Sequence, residues 1–244
     1  MTNTFDHLFL MGRPAAGKSE FIDFMKKVTD EERAKKFHIG HFTEVDDFVW
    51  LWEKFMEDHL WEEVGCERLY SFNEDDNPGL KPDKGKLFDM MIAKIDHIVR
   101  DNFLSKADFY SQNTLIIEFA RGMETGYKHS FDLIKSDLWD KAAILYVEVD
   151  GAESWKRNVA RYEEKLKHSI LAHMVPKKTF DAFYSHDDWH DLTENKREGY
   201  LNLKGIEVPF VTMNNCPEST DPAVLSPRYG QALDNLMELK EKLK

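Results

Sequence analysis

Apolar runs of strand length alternate along the chain with stretches of helical periodicity. The runs that are apolar almost throughout are His7–Met11 and residues 114–119, 142–149 and 208–213, and a weaker one covers 37–42. Phe21, Phe24, Met25 and Val28 follow the first run at the i, i+3, i+4, i+7 spacing of a helix. Continuous apolar strands separated by helices are typical of a parallel sheet covered on both faces. The pattern therefore predicts an α/β fold with a parallel sheet of five strands.

Two intervals are too long to be simple connections between neighbouring strands. Residues 46–112 hold two amphipathic helical patterns separated by a polar stretch near 71–85. Residues 151–205 begin with a charged helical pattern, pass through a loop near 175–178 and continue with more helical pattern. Because neither interval has the composition of a linker, we predict one domain spanning 1–244 with two helical excursions.

The most specific motif is residues 12–19, Gly-Arg-Pro-Ala-Ala-Gly-Lys-Ser, which fits G-x-x-x-x-G-K-[ST] between a predicted strand and a predicted helix. Glycines let backbone N–H groups curl around phosphate oxygens, and the helix directs its positive N-terminus at the same anion. In such a loop the lysine neutralises the β and γ oxygens and the hydroxyl binds Mg²⁺. The predicted nucleotide-binding residues are Gly12, Arg13, Pro14, Ala15, Ala16, Gly17, Lys18 and Ser19.

At these residues the chain resembles the P-loop NTPase superfamily, and within it the kinases of nucleosides, nucleotides and other small molecules. The resemblance implies a three-layer P-loop kinase-like fold with the strand order 2-3-1-4-5, and it implies ATP and Mg²⁺ as cofactors. It also implies that the 46–112 insert binds the phosphoryl acceptor and that a lid lies within 151–205.

Three acidic residues are candidates for the chemistry. Glu118 ends an apolar strand where the superfamily places the acid that holds Mg²⁺ through water, although Asp is commoner at this position. Nucleoside kinases often have Glu here, followed closely by Arg. The corresponding arginine in this chain is Arg121, which would bind the acceptor. Asp46 and Asp47 precede Phe48 after the second strand, and several of these kinases carry an Asp-Asp-Phe run there. A hydroxyl acceptor needs a carboxylate to orient it and take its proton, so we predict Asp46 as the base and Asp47 as a substrate contact. The alternatives are Asp47 in place of Asp46 as the base, an exposed strand end for Glu118, and a helix-dipole role for the aspartates.

Paired arginines follow the fourth strand. Arg157 and Arg161 are one helical turn apart and resemble the lid arginines of small-molecule kinases, which stabilise the transferring phosphoryl group. The alternative is a solvated helix face on which acidic neighbours pair with them. Asn215 lies in the turn after the fifth strand, where such kinases pack the adenine, and no Asn-Lys-x-Asp guanine-reading motif is present there, which favours ATP.

Two other patterns are given less weight. His186 and His190 have zinc-ligand spacing, but Asp187 replaces the glutamate of H-E-x-x-H and no third ligand is evident, so no metal site is predicted there. We expect Asp187, Asp188 and His190 to border the lid and contact the substrate. Trp50 and Trp61 fall off the apolar stripe of their helix and are expected to pack against a neighbouring helix rather than stack on a base.

Charge and composition narrow the range of partners. The 244 residues carry 33 Lys and Arg against 45 Asp and Glu, a net charge of −12. So acidic a chain disfavours nucleic acids and anionic membranes, whose affinity for proteins comes from basic surfaces. No run resembles a signal peptide or a membrane span, and Cys66 and Cys216 form no disulfide framework, so a cytoplasmic location is expected. Oligomeric state stays open.

The predicted function is ATP- and Mg²⁺-dependent phosphoryl transfer to a small molecule, most simply to a hydroxyl of a nucleoside-like or sugar-like acceptor. The main alternative is a nucleotide-dependent switch or regulatory ATP-binding module without such an acceptor. Transfer to a macromolecule, such as an aminoacyl group on tRNA, is disfavoured by the −12 charge. A zinc hydrolase has the least support.

Overall fold

A computed structural model describes residues 3–74, 77–106, 108–122, 126–166 and 174–243 of the chain. The strands are β1 (His7–Met11), β2 (His41–Asp46), β3 (Ser71–Glu74), β4 (Asn77–Leu80), β5 (Asn113–Phe119), β6 (Ala142–Glu148), β7 (Glu198–Leu203) and β8 (Ile206–Asn214). The helices are α1 (Lys18–Lys27), α2 (Asp30–Phe37), α3 (Phe48–Glu63), α4 (Lys86–Val99), α5 (Tyr127–Leu133), α6 (Ser136–Trp139), α7 (Gly151–Leu166), α8 (Lys177–Phe183), α9 (Trp189–Leu192) and α10 (Pro222–Glu241). Short helical turns occupy Pro82–Lys84, Arg100–Leu104 and Phe109–Ser111.

The central sheet has six strands in the order β2-β5-β1-β6-β8-β7. The strands β2, β5, β1, β6 and β8 are parallel and follow the predicted order, whereas β7 pairs antiparallel with β8. The prediction of five strands was therefore wrong at this edge. Residues 198–203 alternate polar and apolar side chains as an edge strand does, so they lack the continuous apolar run that identified the other strands.

The second strand also begins later than predicted. Residues 30–37 form α2, whose N-cap Thr29 accepts a hydrogen bond from the backbone N–H of Glu32, and the helix ends at His38 with φ of 55°. Phe37 and Ile39 are buried, but as a helix end and a connector, and β2 starts at His41. The first part of the apolar run, residues 37–40, is therefore mostly buried without strand pairing, and residues 41–42 begin β2.

Helices cover both faces of the sheet, which confirms the three layers. Leu8 and Leu10 of β1 enter the cluster formed with α1 and α10, where Phe21 and Tyr229 are buried. Phe9 faces the opposite way, into the cluster formed with α4, α5 and α6. Because successive strand residues point to opposite faces, a strand covered on both sides is apolar at nearly every position; the exception in β1 is His7, which bonds the Leu138 carbonyl and the Tyr110 hydroxyl.

The two excursions meet through a third apolar cluster. It joins α3 and α4 of the 46–112 insert to α8 of the 151–205 interval, with Phe55, Phe88 and Phe183 among its buried members. The β3–β4 hairpin packs on α8 at Gly79, where a Cβ would lie 2.4 Å from Thr179 Oγ1. Among the described helices, none combines the length and apolar character needed to span a bilayer.

Candidate active site

The phosphate loop connects β1 to α1 and depends on glycine at two points. Gly12 has φ of 148° and Gly17 has φ of 108°, in the region that side chains other than glycine rarely adopt. A Cβ at Gly12 would lie 2.5 Å from the Val147 carbonyl oxygen, and one at Gly17 would lie 2.2 Å from Asn215 Nδ2. The backbone path of the loop is therefore available only to the residues that the motif requires.

Lys18 lies at the first turn of α1 and connects the loop to the neighbouring strand end. Its Nζ donates to the carbonyl oxygens of Gly12 at 3.0 Å and Arg13 at 3.1 Å. The same atom lies 3.8 Å from Glu118 Oε1, and the side chain is almost fully buried. In this position the ammonium group can exchange carbonyl oxygens for those of a bound phosphate.

Asp46 and Glu118 lie side by side because β2 and β5 pair in parallel register at these residues. Burial raises the pKa of Asp46 to about 6 and that of Glu118 to about 7, while the charge of Lys18 opposes both shifts. Two carboxyl groups that share one lysine leave negative charge without a counterion, so this strand edge suits a further cation.

The residues at this edge fit a magnesium ion that is held mainly by its substrate. Ser19 lines the same cavity as Glu118. Among the described residues, no group of three or more His, Cys, Asp or Glu side chains is placed to hold a metal. Mg²⁺ commonly uses one or two protein ligands together with water and phosphate oxygens. Ser19, and Glu118 through water, would be the protein's share of such a site.

Asp47 forms a buried ion pair with Arg121. Arg121 Nη2 lies 2.6 Å from Asp47 Oδ2, and only 1% of the Arg121 side chain is exposed. The guanidinium also lies over the ring of Phe88, with 4.7 Å to its centroid. Asp47 lines the cavity, but Arg121 lies behind it and does not, so the prediction that Arg121 contacts the acceptor is corrected. In this arrangement Arg121 positions Asp47.

Asp46 also bonds the start of the insert helix. Its Oδ1 accepts a hydrogen bond of 2.9 Å from the backbone N–H of Phe48, the first residue of α3, whose N-cap is Asp47. This structural role and a catalytic role are compatible, because Asp46 lines the cavity as well. The hydrogen bond fixes where the carboxylate points.

A cavity of about 260 Å³ opens in front of these residues. Its floor includes Pro14, Ala15, Lys18, Ser19 and the carboxylates of β2 and β5, and its walls come from α3, β4, α4, α7 and the start and end of α8. The cavity therefore joins the phosphate loop to the region where the two excursions meet. The arrangement suits a nucleotide phosphate at one end and a second small molecule at the other.

The two arginines of α7 point to different places. Arg161 lines the cavity and forms an ion pair with Glu20 of α1. Arg157 is 4% exposed; its Nε donates to Glu153 at 2.8 Å and its Nη2 donates to the Asn215 carbonyl at 2.9 Å. Arg157 therefore packs on the turn after β8, and the prediction that both arginines face the phosphoryl group is corrected for Arg157. The sequence could not predict that the two side chains point to different places, because the arginines lie one turn apart on the same helix.

Asn215 holds the phosphate loop from the other side. Its Nδ2 donates to the Ala16 carbonyl at 2.8 Å, and its Oδ1 accepts from Arg228 Nη1 at 2.6 Å. The turn after β8, which was predicted to pack the adenine, thus contacts the phosphate loop directly. Arg157 is hydrogen-bonded to the same turn. An adenine contact by Asn215 stays a prediction.

A clamp on the phosphate loop escaped the sequence analysis. The Arg13 side chain turns away from the cavity; its Nε and Nη1 donate to the carbonyls of Tyr184 (3.2 Å) and Val149 (2.9 Å). Its Nη2 lies 3.0 Å from Asp187 Oδ2, which also accepts a hydrogen bond of 2.8 Å from the Tyr146 hydroxyl. Asp187 is therefore a buried anchor for the loop. The sequence indicates this clamp only by the presence of an arginine, Arg13, inside the glycine loop.

The rest of the 186–190 segment is structural too. Asp188 accepts backbone N–H groups of Tyr127 and Lys128 at the start of α5. His186 contacts Ser185, whereas His190 pairs with Glu148, so the two histidines share no ligand. None of Asp187, Asp188 and His190 lines the cavity beside the phosphate loop, which corrects the expectation that they contact a substrate there.

The two tryptophans of α3 differ. Trp50 packs as expected, with Lys94 Nζ 4.3 Å from its ring centroid. Trp61 is 49% exposed, so the expectation that it packs against a neighbouring helix was wrong.

We expect Asp187→Asn to weaken ATP binding by about 10–100-fold, because a phosphate loop held less firmly loses its preorganised geometry. The change leaves Arg13 with an uncharged partner in a buried site, so the melting temperature should fall as well. Calorimetric titration with ATP and a thermal melt measure the two effects. Asp181→Asn is the control, because Asp181 pairs with Lys177 at the surface. Equal ATP affinity in both variants would contradict the anchoring role.

The chain matches no protein-family profile and no curated protein. Among solved structures it is similar to a gluconokinase from Sinorhizobium meliloti 1021, at 10% identity over 96% of this chain and 95% of that one, with a TM-score of 0.46. It is also similar to shikimate kinase from Acinetobacter baumannii in complex with shikimate, at 13% identity over 99% and 97% of the two chains, with a TM-score of 0.42. A sugar kinase from a Janibacter species is similar at 12% identity over 96% and 98%, with a TM-score of 0.40. The order of the parallel strands and the loop between β1 and α1 give this chain a P-loop kinase-like fold.

Proposed function

We propose that the protein is a kinase that transfers the γ-phosphoryl group of ATP to a hydroxyl of a small molecule, nucleoside-like or sugar-like, with Mg²⁺. One observation carries the proposal: Lys18 of the phosphate loop and Asp46 of the next strand line one cavity that continues into an apolar pocket. A nucleotide switch needs the loop but has no use for a carboxylate that faces a second pocket beside it. Transfer chemistry needs both.

Each of these residues would have a separate role in such a transfer. Asp46 would orient the acceptor hydroxyl and take its proton as the oxygen bonds to the γ-phosphorus and the bond to the β–γ bridging oxygen breaks. Lys18 would balance the charge on the β and γ oxygens, and Arg161, once released from Glu20, would do the same on the lid side. Mg²⁺, when bound, supplies further neutralisation of the phosphate oxygens. Asp47, fixed by Arg121, would contact the acceptor.

Electrostatics support Asp46 as the base. Burial raises its pKa to about 6, which makes the carboxylate a stronger base than an exposed aspartate. It remains mostly ionised at neutral pH and is therefore available to accept a proton. A residue that served only as a helix cap would gain nothing from this shift.

An ADP-release screen tests the proposal. The protein is incubated with ATP and Mg²⁺ and with nucleosides, sugars, amino-alcohols and nucleoside monophosphates in turn. At least one acceptor is expected to raise ADP release well above background hydrolysis, and Lys18→Ala should abolish the increase. If ATP binds and no acceptor raises ADP release, the regulatory or switch alternative is favoured.

A further inference from the structure

We propose that the acceptor is a small uncharged molecule built on an aromatic ring, bound between α3 and the segment 174–184 with its hydroxyl beside Asp46. The inference rests on the proposed function and names the substrate class of that site. Nucleosides have this chemistry, because they join a flat aromatic base to a primary hydroxyl.

The pocket walls are the first argument. Away from the phosphate loop the cavity is lined by Phe48, Trp52 and Phe55 of α3, Phe88 of α4, and Val175 and Tyr184. Aromatic side chains favour an aromatic ligand, because offset and edge-to-face contacts add to the gain from burying its faces. A polyol in the same place would lose hydrogen bonds to water without replacing them.

The polar side chains in these walls are already engaged. Asn158 donates to the Val175 carbonyl at 2.9 Å and accepts from the Val175 N–H at 3.0 Å. Thr179 donates its hydroxyl to the Leu80 carbonyl at 3.0 Å. Tyr184 also lines the cavity, and its hydroxyl is a polar group suited to a ring that carries one polar edge.

Charge argues against an acidic acceptor. Among the described residues, the cations that line the cavity are Lys18 and Arg161. Lys18 belongs to the phosphate loop, and Arg161 pairs with Glu20. A carboxylate or phosphate on the acceptor would therefore meet Asp46 and Glu118 without a cation of its own, and like charges at close range repel strongly in a cavity.

Size sets an upper limit. The cavity of about 260 Å³ includes the space in front of the phosphate loop. Sites for drug-sized ligands usually measure roughly 300–1,000 Å³. The acceptor is therefore expected to be small, about the size of a single nucleoside.

The test compares acceptor classes on the full chain. Cytidine, thymidine, adenosine and guanosine are compared with ribose, which keeps the hydroxyl but lacks the ring, and with gluconate, shikimate, nucleoside 5′-monophosphates and choline. ADP release measures turnover, and calorimetry with a non-hydrolysable ATP analogue and Mg²⁺ measures binding. At least one nucleoside is expected to exceed ribose by about 100-fold in kcat/KM, because the ring contributes the buried apolar area. Preferred turnover of a sugar, an acid or choline would overturn the inference while leaving the kinase function intact.

Substitutions in the pocket wall test where the aromatic ring of the acceptor binds. Trp52→Ala should raise the acceptor KM by about tenfold or more with the ATP KM unchanged, because the ring that lines the acceptor pocket is lost. Trp52 also contacts the ring of Phe55, so a thermal melt must show that the variant is folded. Trp61→Ala is the matched control on the same helix, because Trp61 is half-exposed and does not line the cavity. Tyr184→Phe keeps the ring and removes the hydroxyl, and should raise the acceptor KM by up to about tenfold.

The two proposals can fail separately. If no acceptor of any class raises ADP release, the proposed function fails, and nucleoside binding that Trp52→Ala abolishes would still support the pocket. If Trp52→Ala and Trp61→Ala behave alike in calorimetry, or if no nucleoside binds, the aromatic acceptor is wrong.

Discussion

Asp46→Asn is expected to lower kcat by about 10²–10⁴-fold while ATP affinity stays within about twofold, because a general base is lost and the phosphate loop is untouched. Asparagine keeps an oxygen that can accept the Phe48 N–H, so the start of α3 should be preserved. Steady-state turnover and calorimetric ATP titration measure the two quantities. Glu44→Gln is the control on the same strand, since Glu44 pairs with Lys26 at 2.9 Å.

The pH profile separates a base from a helix cap. Because the pKa of Asp46 is raised to about 6, wild-type activity toward the acceptor should fall as pH drops through and below that value. Bound Mg²⁺ favours the ionised carboxylates and moves this limb to lower pH. Asp46→Asn should lose the part of the limb near pH 6, whereas the contribution of Glu118, whose pKa is about 7, remains in both proteins. If turnover is unchanged in the variant, or if its acid limb is the same as that of the wild type, Asp46 only bonds the start of α3.

Lys18→Ala is expected to reduce kcat/KM for ATP by about 10²–10³-fold, because the variant loses the charge placed on the phosphate oxygens. Lys18 also bridges two loop carbonyls and approaches Glu118, so a thermal melt must show that the variant is folded. Lys26→Ala on the same helix is the matched control, because Lys26 is half-exposed and pairs with Glu44. Equal turnover in the two variants would remove Lys18 from the phosphate site.

The sequence carries the framework of the fold because periodicity reports burial on both faces of a strand. Periodicity predicts the alternation of strands and helices, whereas the three layers and the order of the parallel strands come from the resemblance that the phosphate-loop motif carries. The edge strand β7 was not predicted, because it is half-covered and its alternation over 198–203 is short. The error at 37–42 has the same origin, since burial alone cannot distinguish a helix end from a strand.

Side-chain direction is the part of the site that sequence could not supply. The spacing of Arg157 and Arg161 places both on one helix. Arg157, however, donates a hydrogen bond to the carbonyl of Asn215, which is distant in sequence, and therefore points away from the cavity. Arg121 turns to Asp47 on a neighbouring strand end, and Arg13 leaves its own loop for Asp187. Each direction is set by a partner distant in sequence, whereas the conformation of the glycine loop is set locally.

The carbonyl of Tyr184 that receives Arg13 belongs to the residue whose ring closes the pocket. One residue thus touches both ligand compartments, through its backbone on one side and its ring on the other. A movement of the phosphate loop on ATP binding would therefore be transmitted to Tyr184 through Arg13. Linkage requires that the effect of ATP on the affinity for the second substrate equals the effect of that substrate on the affinity for ATP.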